Sequence, residues 1–285
     1  MVKLLTELAP AKINLFLRVT GRRLDGYHEL DSIFVPVSLY DRIEIELRPA
    51  NSAGIELFCD SDEVPGGRSN LAFRAASEFL DEFGLRAEVL VKLRKKIPAG
   101  AGLGGGSSDA GAVLRMMAQL CRISQPASQL ALATRLGADV PFFLNPISSR
   151  MRGIGERREP LGRIEMPFLL IAVPPITVPT SAVFENLRPE NWSGPAPDRD
   201  VLEILQGRID GHQLVNDLEQ AAVAKWPEIR QLKEWLVALG ARGAGMSGSG
   251  GGVFGIFDSR ERALAAGREI AQRAPRVQTF HASAL

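Results

Sequence analysis

The sequence predicts an α+β fold in two domains. Three observations carry that expectation. Strand-forming runs dominate the first third of the chain, helical repeats begin only near residue 70, and a glycine-rich segment at 97–110 stands between a predicted strand and a predicted helix. At 285 residues the chain has room for one large domain or two ordinary ones. We place the division near residue 158, giving domains 1–158 and 159–285.

Lys12–Val19 and Arg42–Leu47 read as strands, with Gly21–Leu30 a polar loop between them, and Ile55–Cys59 as a shorter strand. Asn70–Phe83 predicts the first helix, because Leu71, Ala75, Phe79 and Phe83 recur at four-residue spacing before a stop at Gly84. Ser69 suits its N-cap. Glu88–Leu93 predicts a strand, Lys95–Gly106 a loop, and Ser107–Leu120 a helix with Val113, Met116, Met117 and Leu120 inward. Gln129–Leu136 is a third helix, stopped by Gly137, and Asp139 reads as the N-cap of a short turn with Pro141 inside it. The second half begins near Arg158. It contains a buried strand at Phe168–Val173, a loop at Pro189–Asp200, a helix at Pro227–Leu239, a second glycine cluster at Gly240–Gly252, a strand at Val253–Phe257 and a last helix at Arg260–Arg273.

Hydrophobic residues make up 45% of the chain and charged residues 24%, the balance of a globular protein. A formal net charge of +1 excludes a general nucleic-acid binder, which would carry a basic excess, and the pairs such as Arg22–Arg23 and Arg157–Arg158 read as solvated faces. Two cysteines, Cys59 and Cys121, do not make a disulfide scaffold, and three dispersed histidines show no metal-ligand spacing. The longest apolar run is strand-sized, well short of the roughly 20 residues that span a bilayer. A cytoplasmic, reduced protein is expected.

The segment Ile97–Ala110 reads I-P-A-G-A-G-L-G-G-G-S-S-D-A. Glycines let backbone approach a ligand, and the helix that follows presents unpaired N–H groups and a partial positive charge. Together they suit a di- or triphosphate. Ser107 and Ser108 can each cap the helix or touch a phosphate oxygen. A P-loop is excluded, because no lysine follows the glycines. Gly100, Gly102 and Gly105 satisfy a dinucleotide fingerprint, but no acidic residue lies between Asp109 and Asp139 to hold a ribose. The downstream motifs of a protein kinase are absent as well.

The fuller pattern resembles the ATP loop of the galactokinase–homoserine kinase–mevalonate kinase superfamily. With A-P-A-K-I-N-L-F-L at Ala9–Leu17, D-G-Y-H-E-L at Asp25–Leu30, S-N-L-A at Ser69–Ala72, G-A-D-V-P-F-F-L at Gly137–Leu144, N-D-L-E at Asn216–Glu219 and M-S-G-S-G-G-G-V-F at Met246–Phe254, it is similar to the 4-diphosphocytidyl-2-C-methyl-D-erythritol kinases across nearly the whole chain. The resemblance implies a two-domain fold with an ATP-binding N-terminal and a substrate-binding C-terminal domain. It implies transfer of the ATP γ-phosphoryl group, with Mg²⁺, to the 2-hydroxyl of the cytidylyl substrate in the non-mevalonate isoprenoid route.

It also assigns roles. Asp139 becomes the catalytic base and Lys12 its electrostatic partner beside the reacting hydroxyl, although bare sequence reads Lys12 as an outward strand lysine. Pro98, Gly100, Gly102, Leu103, Gly104, Gly105, Gly106, Ser107 and Ser108 hold the phosphates. Ser69, Asn70 and Leu71 border adenine, and Lys96 approaches the nucleotide, unless it is simply a solvated loop lysine. Asn14, two residues from Lys12 on one strand face, contacts substrate. Tyr27 and His28 read cytosine, with Phe184 on its other side; without the resemblance they are two exposed loop residues and an ordinary core phenylalanine. Where family members carry a small side chain this chain has Gly251 or Gly252, which leaves a side-chain role there open. The expected partner is a small molecule, with no nucleic acid or membrane, and the expected state a monomer or weak homodimer. The rivals are another kinase of the superfamily, a nucleotide-binding regulator and a dinucleotide-dependent oxidoreductase.

Overall fold

The computed structural model describes residues 2–166 and 168–285. They form two compact units. One holds the chain up to Ala11, Tyr40–Ala99 and Gly104–Pro146; the other holds Lys12–Leu39, Gly100–Leu103 and Ile147–Leu285. This division follows packing and not chain order, so residues 12–39 belong with the later half and no single boundary near residue 158 separates the units. The strands explain it. β1 is Lys3–Arg22 and β2 is His28–Pro49, 20 and 22 residues long. At about 3.3 Å per residue such strands run to about 70 Å, longer than one small core can cover. Lys12–Val19 lies in the buried centre of β1, whereas Arg42–Leu47 is an alternating stretch near the end of β2, whose most buried stretch is Asp31–Val37.

In the first unit, the later half of β2 supplies one sheet partner. β3 (Gly54–Cys59) is followed by α1 (Leu71–Glu82), β4 (Ala87–Arg94), α2 (Gly105–Cys121), α3 (Pro126–Leu136) and the single turn α4 (Val140–Phe143). β4 pairs antiparallel with β2, Arg42 opposite Arg94 and Pro49 opposite Ala87, and parallel with β3. Its residues alternate between buried and exposed, and Val89 and Val91 meet Ala75, Phe79, Val113 and Met117 in one core. Cys59 and Cys121 are partly buried against that core. Asn70, not Ser69, caps α1: its Oδ1 accepts from Ala72 N at 2.9 Å, while Ser69 Oγ donates to Gly66 O. The helix begins one residue later than its amphipathic repeat suggests.

In the second unit, the first part of β2 pairs antiparallel with β5 (Ser149–Gly153), which pairs with β6 (Arg157–Pro160). Then come β7 (Leu169–Val173), α5 (Thr180–Glu185), α6 (Asp198–Leu205), α7 (Glu219–Lys225), α8 (Glu228–Ala238), β8 (Gly243–Met246), β9 (Val253–Ile256), α9 (Arg260–Arg273) and β10 (Gln278–Ala282). An antiparallel sheet runs β10–β7–β9–β8. Leu170, Ala172, Val253, Ile229, Leu232 and Ile270 share its core. The expected loop and the second glycine cluster both contain structure. The stretch Pro189–Asp200 holds a 3₁₀ turn and the start of α6, and Gly240–Gly252 holds β8, which glycine content disguises. Gly243 and Gly245 are there because a Cβ would come within 2.8 Å of Gly211 N and 2.9 Å of the Phe254 ring. Among the described residues no helix is long and apolar enough to cross a membrane.

Candidate active site

In the first unit the glycine segment leaves its loop through Gly104, whose φ of 73° only glycine adopts readily, and enters α2 with no side-chain cap and no acidic residue in the first turn. The unpaired N–H groups of that turn are therefore available to an anion. The two serines differ. Ser108 is buried and its Oγ donates to Pro10 O at 2.7 Å, so it holds α2 to β1. Ser107 is only partly buried and is the hydroxyl left for a ligand. Gly106 faces the start of α1, since a Cβ there would lie 3.5 Å from Leu71 Cδ1. This puts Leu71, beside Ser69 and Asn70, next to the loop exit.

Entry and exit of the loop are tied together by buried charge. Asp41 Oδ1 accepts from Lys96 N (2.6 Å) and Ile97 N (2.9 Å), and Lys95 Nζ bridges Asp41 (2.5 Å) to Asp109 in α2 (2.7 Å). Lys95, Asp41 and Asp109 side chains are at most 7% exposed. Burial pushes the Asp109 carboxyl up to about 8, against the pull of Lys95. Burial also works against the charge on Lys95, yet Asp109 and Asp41 outweigh it and hold the ammonium above its usual pKa. Lys96, the lysine read from sequence as a nucleotide contact, has an exposed side chain; only its backbone takes part here. Pro98 follows, half-buried, at the loop entry.

Asp139 occupies the N-cap position of α4 without making a side-chain cap hydrogen bond. Its turn is held firmly. Gly111 lets α2 approach so closely that a Cβ would fall 2.6 Å from Phe143 Cβ, and Arg115 of α2 donates to the Phe143 carbonyl while pairing with Glu7. Phe142 and Phe143 are fully buried, with their rings edge to face at 5.0 Å. The turn thus fixes the backbone that carries the half-buried carboxylate.

In the second unit Lys12 is 3% exposed, which overturns the reading of an outward strand lysine. Its Nζ donates to Asn14 Oδ1 at 2.6 Å and lies 4.6 Å from the Phe34 ring centre. Asn14 in turn donates to Ser32 Oγ and accepts from Gly248 N. Lys12 N also donates to Leu103 O, so β1 holds the glycine segment by its backbone. The second glycine cluster packs on the same segment. Ser247 Oγ donates to Gly102 O, Gly252 N donates to Ala101 O, and Asn216 donates to both Met246 O and Gly248 O. Added Cβ atoms at Gly251 and Gly252 would stand 2.9 Å from Gly100 O and 2.6 Å from Ala101 O. Both glycines serve close backbone approach, and a side chain has no room at either.

The tightest of these contacts is at Gly102, where a Cβ would sit 2.0 Å from Ser247 O and φ is +70°. Gly102→Ala is expected to destabilise the protein by about 2–4 kcal/mol, from overpacking against backbone together with a left-handed φ. Urea denaturation of the variant checks this; an unchanged midpoint would show that the two glycine segments can part without cost.

In the same unit, His28 opens β2 with its ring 5.3 Å from that of Phe184 and tilted 31° to it. Burial, and then Arg22, hold the imidazole below its usual pKa, so it is neutral at pH 7. Tyr27 is 63% exposed and makes no ring contact among the described residues. The geometry therefore brings His28 and Phe184 together and leaves Tyr27 facing solvent. Asp200, Glu203 and His212 bring their ligand atoms within 4.8 Å of one another, a grouping that sequence spacing does not show. Gln213 and Arg199 bond Glu203, and Arg18 lies 3.9 Å from Asp200.

Asp41, Lys95, Gly111, Asn216 and Ser247 went unassigned in the sequence. Asn216 and Ser247 stood in quoted motifs, but the contacts that give these residues their roles reach partners up to 145 residues away, which spacing cannot reveal.

Comparison with known proteins gives the family. The model of the GHMP kinases N terminal domain matches residues 70–145, and that of the GHMP kinases C terminal matches 203–276. A protein of Syntrophotalea carbinolica named 4-diphosphocytidyl-2-C-methyl-D-erythritol kinase is 40% identical over 271 residues, 93% of this chain and 94% of that one. One of Thermus thermophilus with the same name is 42% identical over 264 residues, 93% and 92% of the two chains. The chain belongs to the 4-diphosphocytidyl-2-C-methyl-D-erythritol kinase family. It is a phosphotransferase by that membership, with the α+β architecture of the GHMP kinases. A crystal structure of 4-(cytidine 5′-diphospho)-2C-methyl-D-erythritol kinase matches it with a TM-score of 0.84 at 39% identity, covering 98% of each chain. A homoserine kinase from Cytophaga hutchinsonii matches at 0.75 and 18% identity, a likeness of fold alone.

Proposed function

We propose that this chain transfers the γ-phosphoryl group of ATP to the 2-hydroxyl of 4-diphosphocytidyl-2-C-methyl-D-erythritol, in the non-mevalonate route to isoprenoid precursors. The observation that carries this reading is the agreement with relatives of that name at 40–42% identity over 93% of the chain. The acceptor's chemistry fits the second unit, where a neutral imidazole and an aromatic ring stand together at His28 and Phe184. The donor's chemistry fits the uncapped start of α2.

ATP enters as its magnesium complex, so the ion arrives on the phosphate oxygens of the substrate. The α2 turn and Ser107 hold those phosphates, with Gly100 and Gly102–Gly106 allowing close backbone approach, and Leu71 borders the nucleoside. Asp139 accepts the proton of the acceptor hydroxyl. Lys12, held by Asn14, favours the developing negative charge. Phosphoryl transfer through a loose transition state needs placement and charge more than a strong base, which a carboxylate supplies. Asn14 contacts the acceptor, and Tyr27, His28 and Phe184 hold its cytosine. Free Cys59 and Cys121 suit a reducing cytoplasm.

The test is ADP release with a panel of acceptors. Release is expected with the cytidylyl acceptor and not with homoserine or mevalonate. Equal release with either of those would replace this reading by another kinase of the superfamily, and tight binding of a nicotinamide cofactor would count against both.

A further inference from the structure

The sequence reading assigned Tyr27, His28 and Phe184 to the base of the acceptor. The structure adds a third ring to His28. Trp192 stands edge-on to the imidazole, ring centres 5.8 Å apart and planes at 84°, while Phe184 covers it at 31°. The imidazole is thus held from two directions.

The segment carrying Trp192 is an irregular stretch between a 3₁₀ turn and α6, yet it is fastened by two buried carboxylates. Asp217 accepts from Ser193 N (2.8 Å) and Ser193 Oγ (2.5 Å), and the same carboxylate accepts from Val19 N of β1 (2.7 Å). Gly194 N donates to Val19 O. Three residues on, Asp31 accepts from Ala196 N (2.9 Å) while Arg150 grips it with two bonds of 2.8 and 2.7 Å. Burial raises the pKa of Asp31, but Arg150 and the Ala196 N–H outweigh it and keep the carboxyl ionised. Two anchors on either side of a short strap are more than a surface loop needs.

The third observation is the indole edge. Its Nε1 is buried and has no hydrogen-bond partner among the described residues, so packing alone sets the position of the ring.

We infer that Trp192 is a positioning residue of the acceptor-base site: its ring, with that of Phe184, fixes the direction in which His28 presents its N–H and lone pair to the base. This rests on the proposed acceptor. A hinged or tumbling imidazole would present its N–H and lone pair in several directions. One clamped between Phe184 and Trp192 presents them in a single direction, as discrimination between cytosine and uracil requires, since the two bases exchange donor for acceptor at adjacent ring positions.

The experiment measures binding of cytidine 5′-diphosphate, uridine 5′-diphosphate and ATP by calorimetry, in the full-length wild type, Trp192→Phe and Trp192→Leu. Wild type is expected to prefer the cytidine nucleotide. Trp192→Phe, whose smaller ring leaves part of the imidazole uncovered, is expected to weaken it about 2–5-fold. Trp192→Leu is expected to weaken it about 10-fold or more and to narrow the preference over the uridine nucleotide, with ATP affinity unchanged in both. Undiminished cytidine diphosphate binding and preference in both variants would overturn the role of Trp192. So would a parallel loss of ATP affinity, the mark of a general structural effect. Failure of the wild type to bind the cytidine nucleotide is a different result and overturns the acceptor reading itself. Trp192→Phe guards against the case in which Trp192→Leu does not fold.

Discussion

Asp139→Asn is expected to lower turnover about 10²–10⁴-fold, the contribution typical of a positioned base, while leaving the fold and the affinity for ATP close to wild type. The prediction is sharp because other residues hold the turn that carries Asp139. Asp139 occupies an N-cap position without making a cap hydrogen bond, so no helix-terminal bond is lost. The turn behind it is fixed by other means: Phe142 and Phe143 are fully buried, Gly111 accepts Phe143 at close range, and Arg115 bonds the Phe143 carbonyl. Asparagine matches the shape of aspartate and loses only the charge and the ability to take a proton. The measurement is kcat and KM for both substrates beside a thermal melt. Wild-type turnover in a folded variant would remove Asp139 from the mechanism, and an equal fall in melting temperature would assign it to structure.

Lys95→Met is expected to destabilise the protein by about 3–5 kcal/mol, the usual result of removing one partner from a buried ionic cluster. Met fills the space of the alkyl stem but leaves Asp41 and Asp109, both at most 3% exposed, without the ammonium that joins them. Urea denaturation reads the loss. Asp109→Asn, which keeps a polar group of the same shape, should cost far less. It should also change the pH dependence of stability. Burial raises the folded pKa of Asp109 to about 8, above the unfolded value. The folded state therefore binds this proton more tightly, and the contribution of the group to stability falls as pH rises from about 4 toward 8. Asp109→Asn removes that decline, so its stability should fall less over the same window. A parallel slope in the two proteins would show that Asp109 is ionised throughout.

Some elements could be read from local pattern because one face of each does all the burying. The four-residue repeat of Leu71, Ala75 and Phe79 produced α1, and Arg260–Arg273 is the helix the sequence predicts, end to end. Other elements lacked such a pattern. β8 is glycine at two of four positions because its neighbours leave no room for side chains, and β5, β6 and α5 are too short to show a period. The ends of β1 escaped notice because they are largely exposed, and the first half of β2 because Asp31, Ser32, Pro36, Ser38 and Asp41 interrupt its buried apolar run.

The glycine segment followed by a helix, the absence of a P-loop lysine and the Gly-Tyr-His loop were visible without coordinates, because phosphate binding by backbone needs residues adjacent in sequence. The sequence by itself therefore determined the kind of ligand and the superfamily. Tertiary structure alone decided which lysine is buried and which is exposed at 95–96, that Ser108 is spent on Pro10 while Ser107 is not, that Gly251 and Gly252 serve contact and not chemistry, and that Trp192 stands against His28. The reason is the same in each case. Burial and hydrogen bonding here depend on partners as many as 164 residues apart, such as Trp192 and His28, and nothing in the local spacing of either residue records the other.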